Sequence, residues 1–89
     1  MPSVRVKLVN RNGLHARPAS MFVQIANRFV ATVEVRSGGQ SSVNGKSMMS
    51  MMMLAAENGS ELEITAEGPD AEQQLAALRE LVENGFGEE

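Results

Sequence analysis

The 89-residue chain has no cysteine, tryptophan or tyrosine, a single histidine and only three phenylalanines. Without cysteine there is no route to a disulfide, an iron–sulfur cluster or a thiolate zinc site. One histidine also leaves a zinc centre short of its usual nitrogen ligands, so no metal and no cofactor is expected. The scarcity of aromatics argues against a base-stacking surface, and with it against an RNA-binding sheet module. No convergent acid–base set supports a small hydrolytic enzyme, and nothing in the chain supports a Ser-His-Asp triad. Long hydrophobic runs are missing as well. The opening MPSVRVKLV alternates polar and apolar residues, the pattern of neither a signal peptide nor a membrane span. A soluble cytoplasmic protein with no membrane insertion is the expectation.

What the chain does contain is a hydrophobic fraction of 43%, which favours a globular fold over disorder. Residues 1–89 leave room for one domain, and a chain of this size buries roughly two-thirds of its unfolded surface. The net charge is −3 and it is unevenly spread. Glu57, Glu61, Glu63, Glu67, Asp70, Glu72, Glu80, Glu83, Glu88 and Glu89 crowd the second half, whereas Arg5, Lys7, Arg11, Arg17, Arg28, Arg36 and Lys46 lie earlier. That asymmetry suits one face to an anion or an acidic partner, but it is too weak for a general nucleic-acid binder.

Periodicity divides the chain into short elements. Val4, Val6 and Leu8 alternate with Arg5, Lys7 and Val9 as in a half-buried strand, and Asn10 to Gly13 reads as a turn. From Ala16 to about Phe29 the positions Ala19, Phe22, Val23 and Ala26 follow helical spacing. Residues 31–36 alternate again. Ser37-Gly38-Gly39 reads as a hairpin turn into a short strand near Gln40 to Val43, which Asn44-Gly45 ends. A short helix is predicted from Ser47 to Ala55. Leu62, Ile64 and Ala66 then share one face of a strand. Asp70 with Gln73 resembles a capping box opening a helix with the core stripe Ala71, Leu75, Leu78 and Val82, and Gly85 stands where a C′ glycine belongs. The order β-α-β-β-α-β-α, with one-sided strands and one-sided helices, predicts an α+β fold of two layers. A four-stranded, mainly antiparallel sheet is covered on one face by three helices, and Arg5, Glu34 and Glu63 meet water on the other.

The lone histidine lies in NRNGLHARPAS, residues 10–20. If a helix starts just after His15, then Ala16, Arg17 and Pro18 form its first turn, where backbone N–H groups lack partners and the dipole is positive. Pro18 is tolerated there because the N–H it lacks would be an orphan, although a proline disfavours helical geometry at Arg17 before it. The surroundings suit an anion better than a metal: helix N-termini bind phosphate, and arginine matches phosphate oxygens bidentately. An imidazole can present a neutral nitrogen nucleophile at pH 7, and nearby positive potential favours that form. One reading is therefore a phosphoryl group carried on His15 and stabilised by Arg17 and the free N–H groups of Ala16 and Arg17. The other is a histidine that caps a helix beside a solvated arginine.

NGKSMMSMMMLAA, residues 44–56, holds five of the seven methionines. On a helix begun at Ser47, Met48, Met49 and Met52 group on one side, while Met51 and Leu54 shift around it. So short and apolar a helix leaves some methionines exposed, and this flexible, polarizable side chain suits surfaces that accept several partners. Ser47 is a natural N-cap. A phosphate there would add roughly −1.5 to −2 charge beside an apolar docking patch and so oppose partner binding.

GLHARPA at 13–19 and NGKSMM at 44–49, with His15 and Ser47 32 residues apart, resemble the HPr family. These are the histidine-containing phosphocarriers of the bacterial phosphoenolpyruvate:sugar phosphotransferase system. Length and element order agree over essentially the whole chain. The resemblance implies an open-faced β-sandwich that is not an enzyme. It implies that enzyme I, phosphorylated by phosphoenolpyruvate, passes the phosphoryl group to Nδ1 of His15 with help from Arg17, and that the group moves on to sugar-specific enzyme IIA proteins. Met48, Met49 and Met52 would help form the docking surface. In many Gram-positive relatives the serine matching Ser47 is phosphorylated by a dedicated kinase, HPr kinase/phosphorylase, which permits binding to a catabolite-control transcription factor. The same serine occurs in relatives with and without that kinase, so the resemblance makes Ser47 a candidate regulatory site. Met48 stands where many serine-regulated relatives have isoleucine. A paralogue serving a nitrogen-related or regulatory phosphorelay would share the same chemistry with different partners.

Overall fold

The computed structural model describes residues 2–54 and 56–87. Four strands, β1 (Ser3–Lys7), β2 (Thr32–Ser37), β3 (Val43–Asn44) and β4 (Glu61–Glu67), form one antiparallel sheet in the order β1-β4-β2-β3. Three helices, α1 (Ala16–Ala26), α2 (Met48–Met53) and α3 (Ala71–Glu83), cover one face of it, and a 3₁₀ turn at Gly85–Gly87 follows α3. The element order and the two-layer architecture are those expected from periodicity.

Alternation decides which side of each strand meets the helices. Val6, Val33, Val35, Leu62, Ile64 and Ala66 point inward, and Ala19, Phe22 and Ala26 of α1 with Ala71, Leu75, Leu78 and Val82 of α3 close over them. Full burial of a valine, leucine or phenylalanine contributes about 1.5–3 kcal/mol, so these facing stripes set the register. On the bare face Arg5 pairs in register with Glu63, and Glu63 with Arg36.

Several boundaries differ from the sequence expectation, each for a physical reason. The first helix ends at Ala26 rather than near Phe29, because the segment after it is seated by bonds from distant residues. Asn27 Nδ2 donates to the carbonyls of Val23 (2.9 Å) and Lys46 (3.3 Å), Lys46 Nζ donates to Phe29 O (2.8 Å), and Gln74 Nε2 donates to Ala26 O and Ala31 O (both 3.1 Å). The strand expected near 40–43 begins only at Val43 and includes Asn44. A tight turn does form at Ser37, whose carbonyl accepts from Gln40 N–H at 3.1 Å, but pairing resumes only at Val35 with Val43 and Glu34 with Asn44. The expected capping box is not made. Asp70 is the N-cap of α3, yet its carboxylate accepts from Val30 N–H and Ala31 N–H, each at 2.8 Å. Gly85 does terminate α3 in the left-handed region (φ 64°); Phe86 beyond it is also left-handed (φ 58°), a strained conformation offset by complete burial of its ring. The expected end of the second helix at Ala55, and the acidic residues Glu88 and Glu89, lie outside the described residues.

Candidate functional site

The loop from Leu8 to His15 climbs from β1 to α1, and the polypeptide after α2 holds it in place. Leu8 N–H donates to Ser60 O (2.9 Å), Leu14 N–H to Ala56 O (2.9 Å), and Asn58 Nδ2 to Asn10 O (3.0 Å). Gly13 is left-handed (φ 64°), and a Cβ there would lie 2.5 Å from Ala56 O, so only glycine permits this approach. His15 N–H then donates to Gly13 O at 3.0 Å, and His15 becomes the N-cap of α1 with extended geometry (φ −84°, ψ −173°).

His15 does not cap the helix with its side chain. Its carbonyl accepts from Ala19 N–H at 3.0 Å, the first regular turn. Pro18 is buried and has no N–H to offer, so the unsatisfied donors of the helix start reduce to Ala16 N–H and Arg17 N–H, for which no acceptor is found among the described residues. The helix runs regularly through Arg17 despite the following proline. The guanidinium of Arg17 is exposed and makes no hydrogen bond or ion pair among the described residues. No acidic residue occupies the first turn. An imidazole, a guanidinium, two N–H donors and the positive end of an 11-residue helix therefore meet at one helix start. Nε2 of His15 is shielded from solvent. No group of three or more potential metal ligands occurs among the described residues.

Ser47 is the N-cap of α2, its Oγ accepting from Ser50 N–H at 3.2 Å. It is not part of the His15 cluster. Asn27, at the end of α1, bonds to the carbonyl of Lys46 just before Ser47, whereas Ala56, just after α2, bonds to Leu14 just before His15. Helix α2 thus runs back along α1 from its C-terminal end to its N-terminal end. Eleven residues at about 1.5 Å each put the two helix starts about 16 Å apart along α1. Between them lie the methionines. Met51 and Leu54 are fully buried, while Met48, Met49, Met52 and Met53 are exposed, Met49 and Met53 at 75% and 74%. Met53 was not singled out with the other three, although its i, i+4 spacing from Met49 puts both on one outer face. Asn10, Asn58 and Ala56, which shape the loop before His15, also escaped the sequence reading. Composition marks residues 10–13 only as a turn, and the bonds from Leu14 to Ala56 and from Asn58 to Asn10 that hold the loop span 42 and 48 residues.

Residues 2–84 match the family model described as the PTS HPr component phosphorylation site. The chain is 43% identical over 88 residues to the phosphocarrier protein HPr of Pseudomonas aeruginosa, covering 99% of this chain and 98% of that one. The crystal structure of HPr-C-His from Thermoanaerobacter tengcongensis superposes with a TM-score of 0.94 at 42% identity, covering 100% of this chain and 99% of that chain. The phosphocarrier protein NPr of Proteus mirabilis is 38% identical over 85 residues, covering 96% of this chain and 94% of its own length.

Proposed function

The chain belongs to the HPr family of phosphocarrier proteins of the phosphotransferase system, and from that premise we propose that His15 accepts a phosphoryl group from phospho-enzyme I and donates it to sugar-specific enzyme IIA proteins. The observation that carries this reading is the uncapped start of α1, where His15 stands beside two unsatisfied N–H groups and the exposed Arg17. The burial of Nε2 supports Nδ1 as the attacking nitrogen. Its lone pair forms the N–P bond as the bond from phosphorus to the donor breaks, and the ring keeps its Nε2 proton throughout. The N–H groups of Ala16 and Arg17 and the guanidinium then offset the phosphate charge. Onward transfer reverses the step with a different acceptor. On this reading the protein takes part stoichiometrically as a single carrier domain spanning residues 1–89 and works in the cytoplasm. No described helix is long and apolar enough to cross a membrane.

The exposed Met48, Met49 and Met52 supply the surface on which enzyme I and enzyme IIA dock in turn. Ser47, at the far end of that surface, is the proposed regulatory site, open to HPr kinase/phosphorylase and, once phosphorylated, to a catabolite-control transcription factor. A phosphate there would put a double charge against the docking patch without touching His15. The 38% identity to NPr favours one second reading, a nitrogen-related phosphocarrier with the same chemistry.

Intact mass after incubation with phosphoenolpyruvate and enzyme I tests the assignment. One acid-labile phosphate is expected, absent in His15→Ala. An acid-stable adduct that survives the substitution would sink it. Labelling by a nitrogen-type enzyme I alone would move the protein to the second reading. In the same assay Ser47→Asp should slow labelling while leaving the fold intact, and an unchanged rate removes Ser47 from the regulatory account.

A further inference from the structure

Asn10 is wholly buried inside a loop whose next two residues, Arg11 and Asn12, are exposed. Its Nδ2 donates to Gly13 O at 2.7 Å, the same carbonyl that accepts His15 N–H at 3.0 Å. Its own carbonyl accepts Gly13 N–H at 3.3 Å and Asn58 Nδ2 at 3.0 Å. The peptide from which His15 hangs is therefore gripped by one asparagine, and that asparagine is gripped from behind by a second. Burying an amide is costly unless its hydrogen bonds are made, and an apolar side chain would fill the space as well for packing alone. What the amide adds is direction, since it fixes the plane of the Gly13 carbonyl and hence the entry of the chain into His15.

We infer that Asn10, held in place by Asn58, is a positioning residue for phosphoryl transfer at His15. The inference rests on the reading of His15 as the phosphoryl acceptor. In-line displacement at phosphorus demands a placed and oriented nucleophile. From the helix side His15 is constrained through its carbonyl, which accepts from Ala19 N–H at 3.0 Å, and not by a side-chain cap. The asparagine pair supplies the constraint from the loop side. It also anchors it to the segment following α2, the helix that carries the exposed methionines.

The test uses the full chain with enzyme I and phosphoenolpyruvate, and follows steady-state phosphorylation of Asn10→Asp and Asn58→Ala. Asn10→Asp keeps the shape of the side chain but cannot donate to Gly13 O. Its kcat should fall about tenfold with KM for the carrier unchanged, because misplacing a reactive group costs rate rather than docking. Asn58→Ala removes only the outer bond and should cost about threefold in kcat, again at constant KM. Circular dichroism and thermal melts establish that each variant is folded. A folded Asn10→Asp with unchanged kcat, or with its whole loss in KM, overturns the inference. If Asn10→Asp does not fold, the exposed Asn58 decides, and an unchanged kcat in Asn58→Ala overturns it equally. The two readings fail separately: phosphate retained in His15→Ala refutes the carrier assignment, whereas labelling at His15 that is indifferent to both asparagines refutes only the positioning role.

Discussion

Asp70 illustrates how one side chain can serve a purpose its position in the sequence does not announce. It stands at the N-cap of α3, followed three residues later by Gln73, as a capping box requires. The carboxylate instead reaches across the molecule, with one oxygen on Val30 N–H and the other on Ala31 N–H. The bond from Val30 is the foremost of the causes that hold this carboxyl below its ordinary value of 3.8; the bond from Ala31 and the nearby charge of Lys46 act in the same direction, against a smaller opposing effect of burial. The sign of the linkage follows. A carboxyl depressed on folding stabilises the native state fully above its unfolded pKa and loses that contribution as pH falls from 3.8 through the folded value. Asp70→Asn should therefore be less stable than the parent at neutral pH, and the gap between the two should close as the pH is taken below about 4. Denaturant midpoints measured in parallel from pH 7 to pH 2 check this. A gap that stays constant over that range would show that the charge on Asp70 has no part in seating the loop.

At the scale of the element, α2 is informative because its six residues are five methionines and a serine. Composition says nothing about which methionine is structural, yet the structure separates them sharply. Met51 is buried at 0% exposure, whereas Met49 is 75% exposed on the outer side of the same turn. Met51→Ala should cost about 2–5 kcal/mol through the cavity it leaves. Met49→Ala should change stability by no more than about 0.5 kcal/mol and, on the proposed docking role, raise KM for enzyme I. Urea titration of both variants alongside the transfer assay checks the split; equal destabilisation would mean that the helix is packed on both sides. The helical period of 3.6 made this division partly legible in advance, since Met51 and Leu54 fall together and away from Met48, Met49 and Met52. The same period failed at the end of α1. Arg28 and Phe29 extend the pattern, but Lys46, Asp70 and Gln74 pull the segment out of helix with bonds spanning 16 to 48 residues, which a local pattern cannot contain. The candidate site divides in the same way. His15, Arg17 and Ser47 belong to short motifs and could be named from them, while Asn10 and Asn58 acquire meaning only when two loops meet.

For the molecule as a whole, the sheet separates two surfaces of different chemistry. The helical side carries His15 at one end of the α1–α2 pair, Ser47 at the other and exposed methionines between them. The bare side carries charge in register, Arg5 opposite Glu63 and Glu63 opposite Arg36, with an ion pair between Arg36 and Glu63. It also carries an open hollow of about 550 Å³ lined by polar residues that include Glu34, Ser41, Ser42 and Thr65. Size alone would make that hollow the place to seek a ligand. On the proposed role no such pocket is needed, because the phosphoryl group passes between proteins at His15, at the start of α1 on the helical side. The bare side should then be dispensable for transfer. Neutralising the pair as Arg36→Gln with Glu63→Gln keeps the net charge and removes the ion pair, and because exposed ion pairs contribute at most about 1 kcal/mol, stability should move by no more than that. The rate of phosphoryl transfer from enzyme I should not move at all. Thermal melts and the transfer assay on the double variant decide the matter: a stable protein with a clearly slowed transfer would place a partner across the sheet and overturn the assignment of docking to the methionine helix alone.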